Sequence, residues 1–256
     1  MSLTKAVLHF AAPLPKLESL ERFLFVGPHP DDIEIGAGAT IAKLSAAGKQ
    51  ICFLICTDGR FGNGHVPNMG PSAVASLRQQ ESIRSASLLG VKDVRFLGLS
   101  DGGFYDQAAV VRGIAQVVGD FLPEAIFAPD PSVSSECHAD HLNVGKAVRQ
   151  VACFAPYAGI MAEYGAASAP VCALAYYMTA KPNCYVKTTG YLQKQLEAIF
   201  DCHLSQFPKG SGEAKSVALY LKLRSADFGL RSLKGQAEAF RVLGTTQMHC
   251  LPEAGD

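Results

Sequence analysis

Two short segments hold the residue types that hydrolytic chemistry requires. One is Pro28-His29-Pro30-Asp31-Asp32 and the other is His138-Ala139-Asp140-His141. Together they carry three of the chain's seven histidines, with three aspartates beside them. A catalytic zinc takes three nitrogen or oxygen ligands and keeps one position open. His29 and Asp32, three apart in a turn, can hold one ion from one side, and His141 can complete the set from the other. Asp31 and His138 are then left over beside the ion. Hydrolysis has a use for both, because a base must take a proton from the attacking water and an acid or cation must meet the oxyanion. Asp31 suits the first role. A protonated His138, its ring held by Asp140, suits the second. Either segment alone could be a turn with capping aspartates, since Pro and Asp both favour turns. Their joint occurrence makes the metal reading the stronger one. Two histidines and an aspartate also accept Fe2+ or Co2+, so Zn2+ is the expected ion but not the sole one that fits.

These segments can act together only if the fold brings them to one place. Phe23 to Val26 reads as a buried strand, Gly38 to Ala47 as a helix stopping at Gly48, and Gln50 to Cys56 as a second strand. Helical spacing resumes through Leu89 and ends at Gly90. Val94 to Leu97 is strand three, Gln107 to Phe121 a helix, Ala125 to Ala128 strand four, and Leu142 to Val151 a further helix. Repeated strand–helix units predict an α/β fold: a Rossmann-like, doubly wound, mostly parallel sheet with helices on both faces. In the usual order 3-2-1-4 the first and fourth strands are neighbours at the switch point, where ligands bind. The two motifs follow those two strands. The C-terminal portion reads as a less regular α+β region, with a strand at Leu174 to Met178 and helices at Gly190 to Ser205 and Gly212 to Asp227. A single domain over 1–256 is expected, with residues 22–152 as the metal-bearing core and 153–256 setting specificity.

Composition narrows the class. Apolar residues make up 48% and charged residues 18%, which suits a globular chain. The formal net charge is zero and no basic stripe appears, so neither nucleic acid nor an anionic membrane is expected as a partner. No apolar run reaches membrane-span length. Met1 to Leu20 lacks the pattern of a secretory signal and reads as a surface arm or short edge strand. The eight cysteines form no CxxC pair and read as free thiols in a reducing cytosol, with Cys137 set apart by its place beside the second motif. Phe154 to Ala180 has Glu163 as its only charged residue; a pocket wall or a subunit contact is expected there, and with it a homo-oligomer.

The two motifs resemble the signature of the PIG-L/LmbE-like zinc deacetylases. The likeness extends through Gly36 to Lys43, Thr57-Asp58-Gly59, Arg78-Gln79-Gln80-Glu81, Phe96 to Gly102, Ser205-Gln206-Phe207 and Ala237 to Phe240. It implies an enzyme that removes the acetyl group from a small-molecule N-acetylglucosamine derivative, in keeping with the cytoplasmic setting expected from the free cysteines. It also implies His29, Asp32 and His141 as zinc ligands, Asp31 as base and His138 as oxyanion stabiliser. Arg78 and Asp101 match family positions that contact substrate, where a guanidinium can anchor an anion and an aspartate can accept from sugar hydroxyls. Asp31-Asp32-Ile33-Glu34 and the Ser205-Gln206-Phe207 region look most like the bacillithiol-pathway branch, which works on a glucosaminide carrying malate. That branch often has a tyrosine where this chain has His203, so His203 is a candidate substitute at the substrate.

Departures from the pattern are few. Ile33 stands where many members have glutamate, and Ala139 replaces the proline of HPDH. Gly59 to Pro71 reads as a lid or a plain surface loop, and Phe104 and Tyr105 could line a sugar pocket. A dinucleotide-binding module fits poorly, because G-x-G-x-x-G spacing is missing and the glycines come well after the first strand. A binding protein without turnover would have no use for Asp31. A metal-dependent esterase or phosphoesterase on the same residues stays open.

Overall fold

β1 (Arg22–Gly27) carries Phe-Leu-Phe-Val, and all four side chains are inaccessible to solvent. A strand buried on both faces belongs inside a parallel sheet covered by helices. The computed structural model, which describes residue 7 and residues 10–249, places β1 there. β2 (Gln50–Thr57) and β4 (Ala125–Pro129) flank it in parallel. β3 (Asp93–Leu99) lies outside β2, and β5 (Ala173–Tyr177) continues the parallel run beyond β4. β7 (Ala237–Gly244) runs antiparallel to β5, and β6 (Cys184–Lys187) closes that edge. The order of the seven strands is β3-β2-β1-β4-β5-β7-β6, so the expected 3-2-1-4 core is extended by three strands from the C-terminal portion.

Alternate side chains of β1 feed two cores. Phe23 and Phe25 pack with Ile33, Ala37 and Ile41 of α1 (Asp32–Ala46), and with Ala86 of α2 (Pro71–Leu88). Leu24 and Val26 pack with Ile114 and Val118 of α3 (Gln107–Phe121) and Val144 and Val148 of α4 (Ala139–Phe154). The helices therefore cover both faces, as the doubly wound reading requires. In the C-terminal portion α5 (Ala158–Glu163) precedes β5, α6 (Leu192–Phe200) packs on α1, α7 (Gly212–Ser232) packs on β7, and α8 (Thr245–His249) follows β7. Among the described residues no helix is long and apolar enough to cross a membrane.

Several boundaries differ from the sequence reading. α1 starts six residues before the expected Gly38, and Gly36 and Gly38 lie inside it. These glycines serve close approach. A Cβ on Gly36 would stand 2.3 Å from Cδ2 of the Tyr177 ring, and one on Gly38 would stand 2.7 Å from Cγ of Gln195. Tyr177 cannot swing aside easily, because it is fully buried and its hydroxyl donates to the Val26 carbonyl at 2.7 Å. Gly36→Ala is therefore expected to cost about 1–3 kcal/mol of stability through overpacking. Denaturant unfolding measures this, and an unchanged midpoint would show that the ring yields.

α1 also takes side chains against its backbone in mid-length. Gln195 Nε2 donates to the Glu34 carbonyl at 2.8 Å, and the buried Glu238 carboxylate accepts from the Ala39 and Thr40 N–H groups at 3.2 and 2.7 Å. α4 starts at Ala139, with His138 as its N-cap, rather than near Leu142. α6 is shorter and α7 longer than their patterns predicted.

The apolar character of the 154–180 stretch has an internal cause. It supplies β5 between β4 and β7, and Met161, Ala169 and Val171 are buried in the core. Of the N-terminal arm, a 3-10 turn at Leu17–Ser19 packs Leu17 inward, while His9 and most of the residues before position 10 lie outside the described residues, as does Cys250. Cys137 is exposed.

Candidate active site

The loops after β1 and β4 meet at the carboxyl edge of the sheet, where α1 and α4 leave on opposite faces. The β1 loop turns sharply. Asp31 has φ 115° and ψ −27°, a left-handed conformation that only Gly, Asn and Asp visit with any ease. Its carbonyl nevertheless accepts the first helical bond, from the Ile35 N–H at 3.0 Å. Asp32 begins α1, and its Oδ2 accepts the His29 backbone N–H at 2.9 Å. Strain of this kind persists only where surrounding contacts hold it, and it clusters at functional sites.

Arg78 supplies that hold from α2. Its guanidinium donates to Asp31 Oδ2 at 3.0 Å, the Pro30 carbonyl at 2.7 Å and the Gly59 carbonyl at 3.0 Å. A Cβ on Gly59 or Gly62 would stand 2.3–2.4 Å from Arg78 Nη1, so the start of the glycine-rich loop lies flat on the arginine. That end of the loop is pinned again by Gln206, which donates to the Gly62 carbonyl at 2.6 Å.

Three donors converge. His29 Nδ1 lies 3.0 Å from Asp32 Oδ2, and His141 Nε2 lies 3.5 Å from the same oxygen. Ligands about 2.0–2.1 Å from a tetrahedral zinc stand roughly 3.3–3.4 Å apart, so these separations suit one small divalent ion. The remote nitrogen of each histidine is held by a carboxylate: His29 Nε2 donates to Asp140 Oδ2 at 2.9 Å, and His141 Nδ1 donates to Glu136 Oε2 at 2.9 Å. Metal-ligating histidines are typically supported in this way. His29, His138 and Asp140 form a second cluster of possible ligands. It fits an ion less well, because Asp140 already accepts from the N–H groups of Gly102 and Gly103 and from the Tyr105 hydroxyl at 2.7–2.8 Å.

The electrostatics follow from these contacts. Burial works against a charged His29, but Asp140 and Asp32 outweigh it and raise the ring to about 10. Burial likewise opposes a charged His141, and Asp32 and Glu136 raise it to about 9. Burial alone would raise Asp32, yet His141 and His29 hold it well below the usual carboxylate range. Asp31 goes the other way. Burial lifts it to about 6, Arg78 pulls against that, and the neighbouring Asp32 adds to the rise.

The expected site residues do not all stand where their sequence roles placed them. Asp140 holds His29 rather than His138, whose Nδ1 is 3.8 Å from the Asp140 carboxylate and instead accepts the Asp140 backbone N–H at 3.2 Å. That bond makes His138 the cap of α4 and leaves Nε2–H as its free donor. The ring is half-exposed, and burial together with His29 and His141 lowers its pKa, which favours a neutral donor over the expected cation. Arg78 is only 4% exposed, with its contacts directed at Asp31 and two carbonyls. Asp101 is buried and accepts the Phe61 N–H at 3.2 Å, tying the glycine-rich loop to the β3 loop. His203 is fully buried below α1, its Nε2 3.1 Å from Glu34 Oε1. Tyr105 turns inward to Asp140, whereas Phe104 and Phe61 stay exposed with their rings edge to face, 6.3 Å apart. The sequence reading passed over Glu136, although a carboxylate five residues before His141 in the same loop was the available signal.

The family model for PIG-L, GlcNAc-PI de-N-acetylase, matches residues 24–152, about half of the 256 and the span that holds both loops. The chain belongs to the PIG-L family. The diacetylchitobiose deacetylase of Thermococcus kodakarensis is 30% identical to this PIG-L chain over 256 residues, covering 96% of this chain and 94% of that one. The solved structure of N,N'-diacetylchitobiose deacetylase from Pyrococcus horikoshii matches with a TM-score of 0.86 at 27% identity, over 98% of this chain and 97% of that chain. A probable N-acetyl-α-D-glucosaminyl L-malate deacetylase of Bacillus cereus is 33% identical over 135 residues, 49% of this chain and 58% of that one. The PIG-L fold is thus shared along the whole chain, including the irregular C-terminal portion.

Proposed function

We propose that the protein is a metal-dependent N-deacetylase that releases acetate from a glucosamine-type sugar. The observation that carries this reading is the Asp31 carboxylate, buried and held at a strained turn beside three converging metal donors. A match to a diacetylchitobiose deacetylase at 30% identity over 96% of the chain supports an N-acetylglucosamine oligomer as substrate over the malate conjugate, whose relatives match 49% of the chain at 33% identity or 75% at 26%.

His29, Asp32 and His141 would hold the ion. A divalent ion such as zinc supplies a Lewis acid that polarises the amide carbonyl and makes water more acidic. Asp31 takes a proton from the attacking water as the new carbon–oxygen bond forms. His138 donates from Nε2 to the carbonyl oxygen as it gains charge. Asp31 then delivers its proton to the leaving nitrogen as the carbon–nitrogen bond breaks, leaving acetate and a free amine. An aspartate whose pKa lies near 6 suits both transfers near neutral pH.

Acetate release from N,N'-diacetylchitobiose and other N-acetylglucosamine glycosides, by zinc-loaded and metal-stripped protein, tests this. Release that depends on the metal is expected. A protein with a full complement of metal that turns over esters but no N-acetyl sugar would overturn it.

Loading has a pH signature. His29 and His141 titrate at about 10 and about 9 without metal, so both are protonated at pH 7 and must lose protons to bind an ion. Because these pKa values are raised, apparent zinc affinity should climb with pH through neutrality and level off near 10. Calorimetry in buffers of different ionisation enthalpy should register protons released at pH 7. Uptake with no proton release would remove this account.

A further inference from the structure

Glu136 divides its two carboxylate oxygens between the two histidines of the β4 loop, the backbone of one and the ring of the other. Oε1 accepts the backbone N–H of His138 at 2.7 Å, and Oε2 accepts Nδ1–H of His141 at 2.9 Å. Its side chain is 25% exposed, enough to exclude a purely solvated role.

Asp140 provides the parallel. It takes the remote nitrogen of His29 on one oxygen and uses the pair to accept the Gly102 and Gly103 N–H groups. Each candidate ligand histidine is therefore backed by a carboxylate that also fastens a loop backbone. The two supports differ in depth. Asp140 is wholly buried and belongs to the recognised motif, whereas Glu136 lies outside it and nearer to solvent.

We propose that Glu136 is a positioning residue that sets how tightly this chain holds its divalent ion. By accepting from His141 Nδ1–H it keeps Nε2 on the side that Asp32 shares, and makes that nitrogen a better metal ligand once it has lost its proton. By accepting from the His138 N–H it fixes the turn from which the second imidazole projects. This inference rests on the metal reading above.

The test is zinc affinity, measured by competition with a chromophoric chelator at fixed pH. Glu136→Ala is expected to weaken zinc binding about 10- to 100-fold, the usual consequence of removing such a support. Glu136→Gln keeps an acceptor oxygen without the charge, so a partial rescue to about three- to tenfold weaker is expected. Thermal unfolding of the metal-free proteins separates this from a folding defect. Should Glu136→Ala not fold, Glu136→Gln carries the test alone. His141→Ala serves as the reference for loss of a ligand. If wild-type protein binds zinc, His141→Ala loses it, and the Glu136 variant that folds stays within threefold of wild type, the role of Glu136 is overturned while the metal site stands. If wild-type protein takes up no stoichiometric zinc, the metal reading falls and Glu136's role with it.

Discussion

An Asp31→Asn variant is expected to bind zinc as wild type does and to lose about 100- to 10,000-fold in turnover, the range attributed to a positioned general base. Asparagine is the informative replacement because of the backbone. At φ 115° Asp31 occupies a conformation that Asn tolerates and Ala does not, the latter costing roughly 1–2 kcal/mol for the handedness alone. Asp31→Ala should also lose turnover, but it would mix lost chemistry with a disturbed His29–Asp32 turn. Asn keeps the turn and can still accept from Arg78 through its amide oxygen. Metal content by elemental analysis and acetate release under substrate saturation decide the matter. An Asn variant with full activity would remove Asp31 from the proton transfers and leave the metal site in place.

The second large effect is expected at Arg78. Its guanidinium is the one strong cation facing Asp31 from α2, and both groups are buried. Arg78→Met would leave the Asp31 carboxylate unpaired along with two carbonyls. Breaking a buried ion pair by removing one partner costs about 3–5 kcal/mol. Lysine should not rescue it, since one ammonium cannot reproduce a planar fork that reaches Asp31, Pro30 and Gly59 together. The pH dependence has a definite sign. Arg78 opposes the rise that burial and Asp32 impose on Asp31, so without it Asp31 should titrate above about 6 and the acid limb of activity should move to higher pH. Denaturant unfolding and a pH–rate profile read the two effects separately. A variant of wild-type stability with an unmoved profile would return Arg78 to a role at the substrate alone.

The placement of the two motifs is legible in the sequence for a physical reason. Buried apolar runs identify β1 and β4, and the doubly wound order makes them neighbours, so residues following them must meet. What the sequence hides is tertiary. Gly36 and Gly38 look like an interruption ahead of a helix, because the ring of Tyr177 and the side chain of Gln195 that require them come from more than a hundred residues later. Arg78 and His203 are expected at the substrate, yet their partners Asp31 and Glu34 become adjacent only on folding. Asp140 pairs most simply with the histidine beside it in sequence, whereas its carboxylate reaches back to His29 on the other loop. β6 and β7 escape notice because Cys184 to Lys187 is short and Ala237 to Gly244 mixes small, charged and apolar residues.

The support that α1 receives from beyond residue 152 matters for engineering by parts. The family-defining span ends at residue 152, but the helix that begins with Asp32 is packed by Tyr177, bonded by Gln195 and clasped by Glu238. The two loops of the candidate site are therefore not a cassette. A chimera that borrows its C-terminal portion from a relative would import a different grip on the very helix that begins with the candidate ligand Asp32. Grafts that keep Tyr177, Gln195 and Glu238 as a fixed frame, and vary the surface around them, are the ones compatible with the recipient's own reaction centre.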